Sequence, residues 1–382
     1  MLRGVLFAFF ASGAASQPLG SFIPYLRESY GLGYGISGVL LSCQSIGNLA
    51  AILLAGILPA YLGRRRSVLI TAVWMAAGYL LFAFGPGIPT LLAAACLMTG
   101  VARGGNSNFA NTLVSTLTGP LATRGYNLTH GCFALGALLT PLLLVICEKD
   151  WPGIGWRIMS CVLCLLIGAQ LVVYGRMPLP EEQRERGLKK KDRTFLRDRR
   201  FWLGAAMLFF YISAEYAIVG WLVTYFQESG ILPLDLAQIM NSLLWGVIFA
   251  GRMASAWLSG KLSRSRLLLM DGLGFFLFFL VMFLGRSAWV ITAGIAGMGL
   301  FMAGIYPTAF SFGSESIRGN DLGASVLTLA GSVGGVITPS LIGLVAEHSG
   351  IRAGMGLVAL LTGLLLGSIL LSIGGTHQRA AA

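Results

Sequence analysis

Charged residues are scarce in this chain, at 11% of 382 residues, with 15 acids against 27 Lys and Arg. A water-soluble domain carries roughly 25%, so too few charges are present to coat a water-facing surface. Histidine is scarcer still, with three in all. No P-loop and no HExxH segment occurs, and ATP-driven pumping and intramembrane hydrolysis therefore lack the residues that carry them. No stretch is long and polar enough to be a separate soluble domain. The six cysteines, Cys43, Cys96, Cys132, Cys147, Cys161 and Cys164, all lie in or at the end of apolar segments of the first half. Cys161 and Cys164 form a CxxC, but no second ligand pair accompanies it, so it reads as helix filler rather than zinc or redox chemistry. No metal and no cofactor is expected.

What is abundant is apolar. Hydrophobic residues make up 56% of the chain, and Gly occurs 52 times. The apolar residues fall in blocks, many reaching the roughly 20 residues that cross a hydrocarbon core. The pattern predicts an all-α membrane protein with twelve spans. Six come first: Val5–Tyr25, Ile36–Leu62, Ser67–Phe84, Thr90–Leu117, Tyr126–Cys147 and Trp156–Tyr174. Six follow a charged linker: Phe201–Phe226, Leu236–Leu262, Leu267–Leu284, Trp289–Phe312, Leu322–Ala346 and Ala353–Ile373. The first block resembles a signal peptide, with Arg3, an apolar run and small residues near Ala14. It continues past Gln17 to Tyr25, and the even span count needs it, so it reads as the first helix.

The net charge of +12 is a topology signal rather than a nucleic-acid footprint, because the basic residues cluster in alternate loops. One set of loops carries Arg64, Arg65, Arg66, Arg124, the linker, Lys261, Arg264, Arg266 and Arg318. The other carries Arg27, Lys149, Arg286 and Arg352. The positive-inside rule makes the first set cytoplasmic, with both termini inside and the plasma (inner) membrane as the expected location. The linker, residues 178–200, separates a six-helix bundle at 1–177 from a second at 201–382. It reads as a solvated connector, with acidic lipid headgroups as the alternative partner.

The halves repeat each other. GALLTP at Gly136–Pro141 matches GGVITP at Gly334–Pro339, an offset of 198. GILPAYLGRRR at Gly56–Arg66 aligns with AWLSGKLSRSR at Ala256–Arg266, an offset of 200. The first of those loops resembles the signature loop of the major facilitator superfamily, with Gly56, Leu58, Gly63, Arg64 and Arg65 matching. Ala60 and Tyr61 stand where that family usually has Asp and Arg, so the resemblance does not supply the acidic latch that steadies the family's outward-facing state. The segments NLTHGCFALGALLTPLL, EYAIVGWLVTYF and WGVIFAGR resemble its fucose permease and sodium-dependent glucose transporter-like branch. The resemblance implies two pseudo-symmetric six-helix bundles, a central cavity lined by the first, fourth, seventh and tenth spans, and a monomer that works by alternating access. Gly56, Gly63, Arg64 and Arg65 would then belong to the gate.

Ionisable side chains at membrane depth are costly unless paired or hydrated, so each is a functional candidate. Arg103 lies midway along the fourth span and Glu215 near the middle of the seventh. Thr99, Asn106, Ser107 and Asn111 share the Arg103 face, within roughly 80° at about 100° per residue. Tyr211 lies one turn before Glu215. These groups suit a polar, hydroxyl-rich or anionic solute. Arg103, Asn106, Ser107, Asn111, Gln17, Tyr211 and Trp245 are the expected solute ligands. Glu215 is the expected proton carrier, its charge state governing a pairing with Arg103; a fixed salt bridge is the plainer alternative. His130 is read as a proton relay or, more simply, as an interface residue. Asn127-Leu-Thr129 reads as a glycosylation sequon, but the topology places it inside. Arg252 and Asp271 lie at similar depth and are expected to form a gating or structural ion pair. Pro18, Pro141, Pro307 and Pro339 are expected to kink helices.

The leading reading is proton-coupled symport of a sugar or sugar-like solute, with Na+ as the alternative ion. Drug or metabolite export on the same fold is the second reading. Exporters of that type usually carry Gly-x-x-x-Gly-Pro in the fifth span, and here Thr140 replaces the second Gly. A receptor or enzyme is the third class, and it finds no supporting motif.

Overall fold

The computed structural model describes residues 2–54, 61–118, 122–177, 194–317 and 321–380; at 2, 53–54, 64, 107–118, 122–127, 321–322 and 374–380 it describes the backbone alone. Gly56, Ala60 and most of the linker lie outside the described residues, as do the side chains of Arg64, Ser107, Asn111 and Asn127.

The first half contains α1 (Leu2–Ser16), α2 (Leu19–Tyr30), α3 (Tyr34–Leu54), α4 (Arg64–Phe84), α5 (Pro89–Thr118), α6 (Ala122–Asp150) and α7 (Gly155–Arg176). The second contains α8 (Arg199–Glu228), α9 (Leu234–Leu258), α10 (Arg264–Leu284), α11 (Ala288–Met302), α12 (Ile305–Ser314), α13 (Asp321–Ser349) and α14 (Ile351–Ala380). No strand occurs among the described residues. In lipid every backbone N–H and C=O must be satisfied within the segment, and apolar runs of this length meet that need as helices. Eleven of the twelve expected spans coincide with stretches long and apolar enough to cross a membrane. The remaining one, expected at Thr90–Leu117, is helix α5. The chain is an integral membrane protein.

The repeat seen in the sequence extends to the helices. Both ends of α4 and α10 differ by 200 residues, and both ends of α6 and α13 by 199. It extends to contacts as well. In the first half α6 meets α1 so closely that a carbon added at Gly136 would lie 2.2 Å from the Phe10 carbonyl oxygen. In the second, a carbon added at Gly334 would lie 2.6 Å from the Phe209 carbonyl oxygen. Glycine lets the two backbones touch at equivalent places, as small residues do between membrane helices.

The contacts divide into two compact units, Met1–Arg186 with Leu234–Ser242, and Gly187–Pro233 with Leu243–Ala382. The first turns of α9 therefore pack with the first unit. Inside that unit the largest buried rings are Trp156, Tyr79, Phe22 and Phe82, with Phe22 edge-on to Phe82 and Trp156 at 6.2 and 6.5 Å between centroids. The second unit buries Trp221, Tyr225, Phe275 and Phe279.

Among the described residues each unit shows a broken span. The first span is interrupted at Gln17 and Pro18, and the tenth at Ala303 and Gly304. Proline explains both, because Pro18 and Pro307 have no N–H for the carbonyls of Ala14 and Ala303, four residues earlier. Pro141 and Pro339, also expected to kink their helices, lie inside the uninterrupted α6 and α13.

Candidate functional site

In the first unit the site is built around the break in the first span. Gln17 sits in the break and is buried. The Thr140 hydroxyl of α6 donates to the Ala14 carbonyl at 3.1 Å and to Gly136 at 3.0 Å. The Tyr79 hydroxyl of α4 donates to the Ala15 carbonyl. Side chains from the fifth and third spans thus take the carbonyls exposed by the break. The sequence reading passed over Tyr79 and noted Thr140 only for the glycine it replaces.

Arg103 is half-buried on α5 and lies within electrostatic reach of Tyr79. Asn106 is buried, and its side-chain oxygen accepts from the Thr71 hydroxyl at 3.3 Å. Its amide nitrogen has no hydrogen-bond partner. Thr99, expected on the same face, accepts instead from Gln44 of α3 at 3.4 Å. His130 is half-buried, with its ring edge-on to Phe9 at 6.0 Å between centroids. It borders the apolar cluster of Val5, Ala8, Phe9, Val68, Tyr174 and Met177.

The first turns of α9 add more polar groups to this unit. Gln238 donates to the Ser21 carbonyl at 2.9 Å, and Asn241 to the Ser21 hydroxyl at 3.0 Å. Their side-chain oxygens have no hydrogen-bond partner. At the ends of α2, α6 and α9 a cavity of about 270 Å³ is lined by three acids, Glu28, Glu148 and Asp235, with Tyr25, Ser29, Gly153 and Leu234.

In the second unit Tyr211 is buried, and Glu215, one turn further along α8, acts electrostatically on its hydroxyl. Arg252 acts electrostatically on the same hydroxyl. The Tyr306 ring stands 6.3 Å from the Tyr211 ring and Phe275 stands 6.4 Å from it. Trp245 is buried, and its indole N–H has no hydrogen-bond partner. Trp221, by contrast, donates its N–H to the Pro339 carbonyl at 3.1 Å.

The expected ion pair between Arg252 and Asp271 is not formed. Among the described residues no charged side chain acts on Asp271, and its Oδ2 has no hydrogen-bond partner. Asp271 is instead seated against Gly304 and Ser255.

Of the gate residues, Gly63 caps α4 with φ +77, a conformation that favours glycine, and Arg65 is exposed. Among the described residues no group of three His, Cys, Asp or Glu is placed to hold a metal.

A family model described as the Major Facilitator Superfamily matches residues 5–339. A Brucella abortus protein named a glucose/galactose transporter is 24% identical over 377 residues, covering 92% of this chain and 89% of that protein. A Helicobacter pylori protein named a putative glucose/galactose transporter is 26% identical over 199 residues. That match takes in 51% of this chain and 46% of the relative, about half the length of each. The crystal structure of the E. coli fucose:proton symporter superposes with a TM-score of 0.64 at 18% identity, covering 97% of this chain and 98% of that one. At that identity the superposition speaks for the fold.

Proposed function

The chain belongs to the Major Facilitator Superfamily, and on that premise we propose that it carries a small polar solute, a sugar, a sugar-like solute or an organic anion, across a membrane by proton symport. The observation that carries this reading is a set of buried polar groups with no protein partner. Asn106 Nδ2 lies three residues from Arg103 in one unit, and Trp245 Nε1 lies in the other. Buried donors are ordinarily satisfied, and a hydroxyl-rich solute supplies the acceptors they need. Gln17, in the break of the first span, adds an amide. Ser107 and Asn111 complete the expected ligand set by sequence position.

Glu215 is the proton carrier in this reading. It lies one turn from Tyr211 on α8 and acts electrostatically on that hydroxyl, and its charge state governs its interaction with Arg103 during the cycle. Protonation from outside and solute binding together permit closure and inward release. The names of the Brucella and Helicobacter relatives and of the fucose:proton symporter support both the solute class and the ion. Thr140, whose hydroxyl is committed to the first-span break, supports import over the export reading. The basic loops support an orientation with both termini in the cytoplasm.

The test is ligand-dependent thermal stabilisation of the purified protein by sugars, organic acids and cationic drugs at two pH values. Sugars should raise the melting temperature, more so at the lower pH. Selective stabilisation by lipophilic cations sinks the sugar reading.

A further inference from the structure

The second unit contains a carboxylate that this reading does not use. Asp271, on α10, is 3% exposed, and its Oδ2 has no hydrogen-bond partner. Its seat is tight, because a carbon added at Gly304 would fall 2.4 Å from that oxygen and 2.2 Å from Ser255 Oγ. Gly304 is where the tenth span breaks. A carboxyl oxygen, a hydroxyl and an interrupted helix therefore meet at one point.

Among the described residues nothing compensates an ionised Asp271. From α9 come Ser255 and, nearly one turn earlier, Arg252, which acts on Tyr211 and makes no ion pair with Asp271. From α12 comes Tyr306, whose ring stacks on Phe310. α8 contributes Tyr211, packed on Phe275, and Glu215, which acts electrostatically on Tyr211. α11 contains no titratable residue. α14 turns Ile369 and Leu366 towards Gly272, beside Asp271, while its Arg352 lies over Phe283. Asp271 Oδ2 does not cap α12 either, since it has no hydrogen-bond partner.

We propose that Asp271, seated with Ser255 at the Gly304 break, is a proton-binding site within the second unit, distinct from Glu215. An ionised carboxylate without a counter-charge at membrane depth is costly, and a proton on Oδ2 removes the charge. It also turns that oxygen into a donor at the break, where Pro307 leaves the Ala303 carbonyl without its helical donor. One carboxylate oxygen and one hydroxyl make a proton site, whereas a metal cation takes a shell of many oxygens. The proton held here then steadies the interrupted form of the tenth span.

The test is infrared difference spectroscopy of the purified full-length protein across a pH series, which reads protonated carboxylic acids by their C=O stretch. The wild type should show an acid band that disappears as pH rises. Asp271→Asn should lose that band and Glu215→Gln should keep it. Ser255→Ala, which retains the acid but removes its neighbouring hydroxyl, should shift the band's frequency. A band unchanged in Asp271→Asn overturns the proposal, and so does a band that sodium abolishes at constant pH. If Asp271→Asn does not fold, an unshifted band in Ser255→Ala overturns it. The site draws its meaning for transport from the proton-coupled reading, but this measurement needs no transport. Uptake that ignores a proton gradient would therefore remove that reading and leave the site standing.

Discussion

Thr140 donates its hydroxyl to the carbonyl of Ala14 at 3.1 Å, and that carbonyl is the one Pro18 leaves without a helical donor. A residue 126 positions away in the chain thus completes a hydrogen bond that the first span cannot make for itself. Tyr79 does the same for Ala15 from the third span. The break at Gln17 is held open by its neighbours.

Replacing Thr140 by Val keeps the shape and removes the donor. A buried acceptor left unpaired costs about 1–3 kcal/mol, so Thr140→Val should lower the melting temperature of the purified protein. Tyr79→Phe should act in the same direction. The two losses should not simply add, because both act on one break. Unchanged melting in both variants would show that the break needs no support.

Gly136→Ala and Gly334→Ala should both destabilise, because each places a carbon inside contact distance of a facing carbonyl oxygen, at 2.2 and 2.6 Å. Overpacking of this kind costs roughly 1–3 kcal/mol. Gly168→Ala is the control. A carbon there meets nothing within 4 Å, and Ala is the better helix former by about 1 kcal/mol. Thermal melting should separate the two classes.

Glu315 bonds both Arg200, at 3.4 Å, and Arg264. The group is 45% exposed on the acid side. Exposed pairs contribute about 0–1 kcal/mol and are screened by salt. Glu315→Gln should therefore change stability by no more than that, and the change should shrink in high salt. A large, salt-insensitive loss would show that this network carries more than surface charge.

Glu215→Gln should leave the protein folded and abolish pH-dependent accumulation of solute in proteoliposomes. The wild type should accumulate more as the outside becomes more acidic, because protonation is the loading step. A variant that still concentrates solute with the wild-type pH dependence ends the coupling role of Glu215.

The chain's apolar blocks, its basic loops and its repeat at an offset of about 200 determined the spans, the two halves and the family resemblance. These are properties of residues close together in the chain or matched along it, and they need no partner in space. Pro18 and Pro307 were legible as breakers for the same reason, since each removes a donor four residues back. Pro141 and Pro339 look alike in the sequence, yet they lie inside uninterrupted helices. Only the tertiary structure decided which helix face meets which. Arg252 and Asp271 share a depth, and depth alone suggested a pair; the Asp271 side chain is seated at Gly304 and Ser255 instead. Asn106 lies on the Arg103 face by periodicity, and its oxygen is nevertheless committed to Thr71. Hydropathy sets how deep a residue lies, but the rotation of packed helices sets what it touches. That rotation is fixed by close contacts such as Gly136 on Phe10, between residues far apart in the chain.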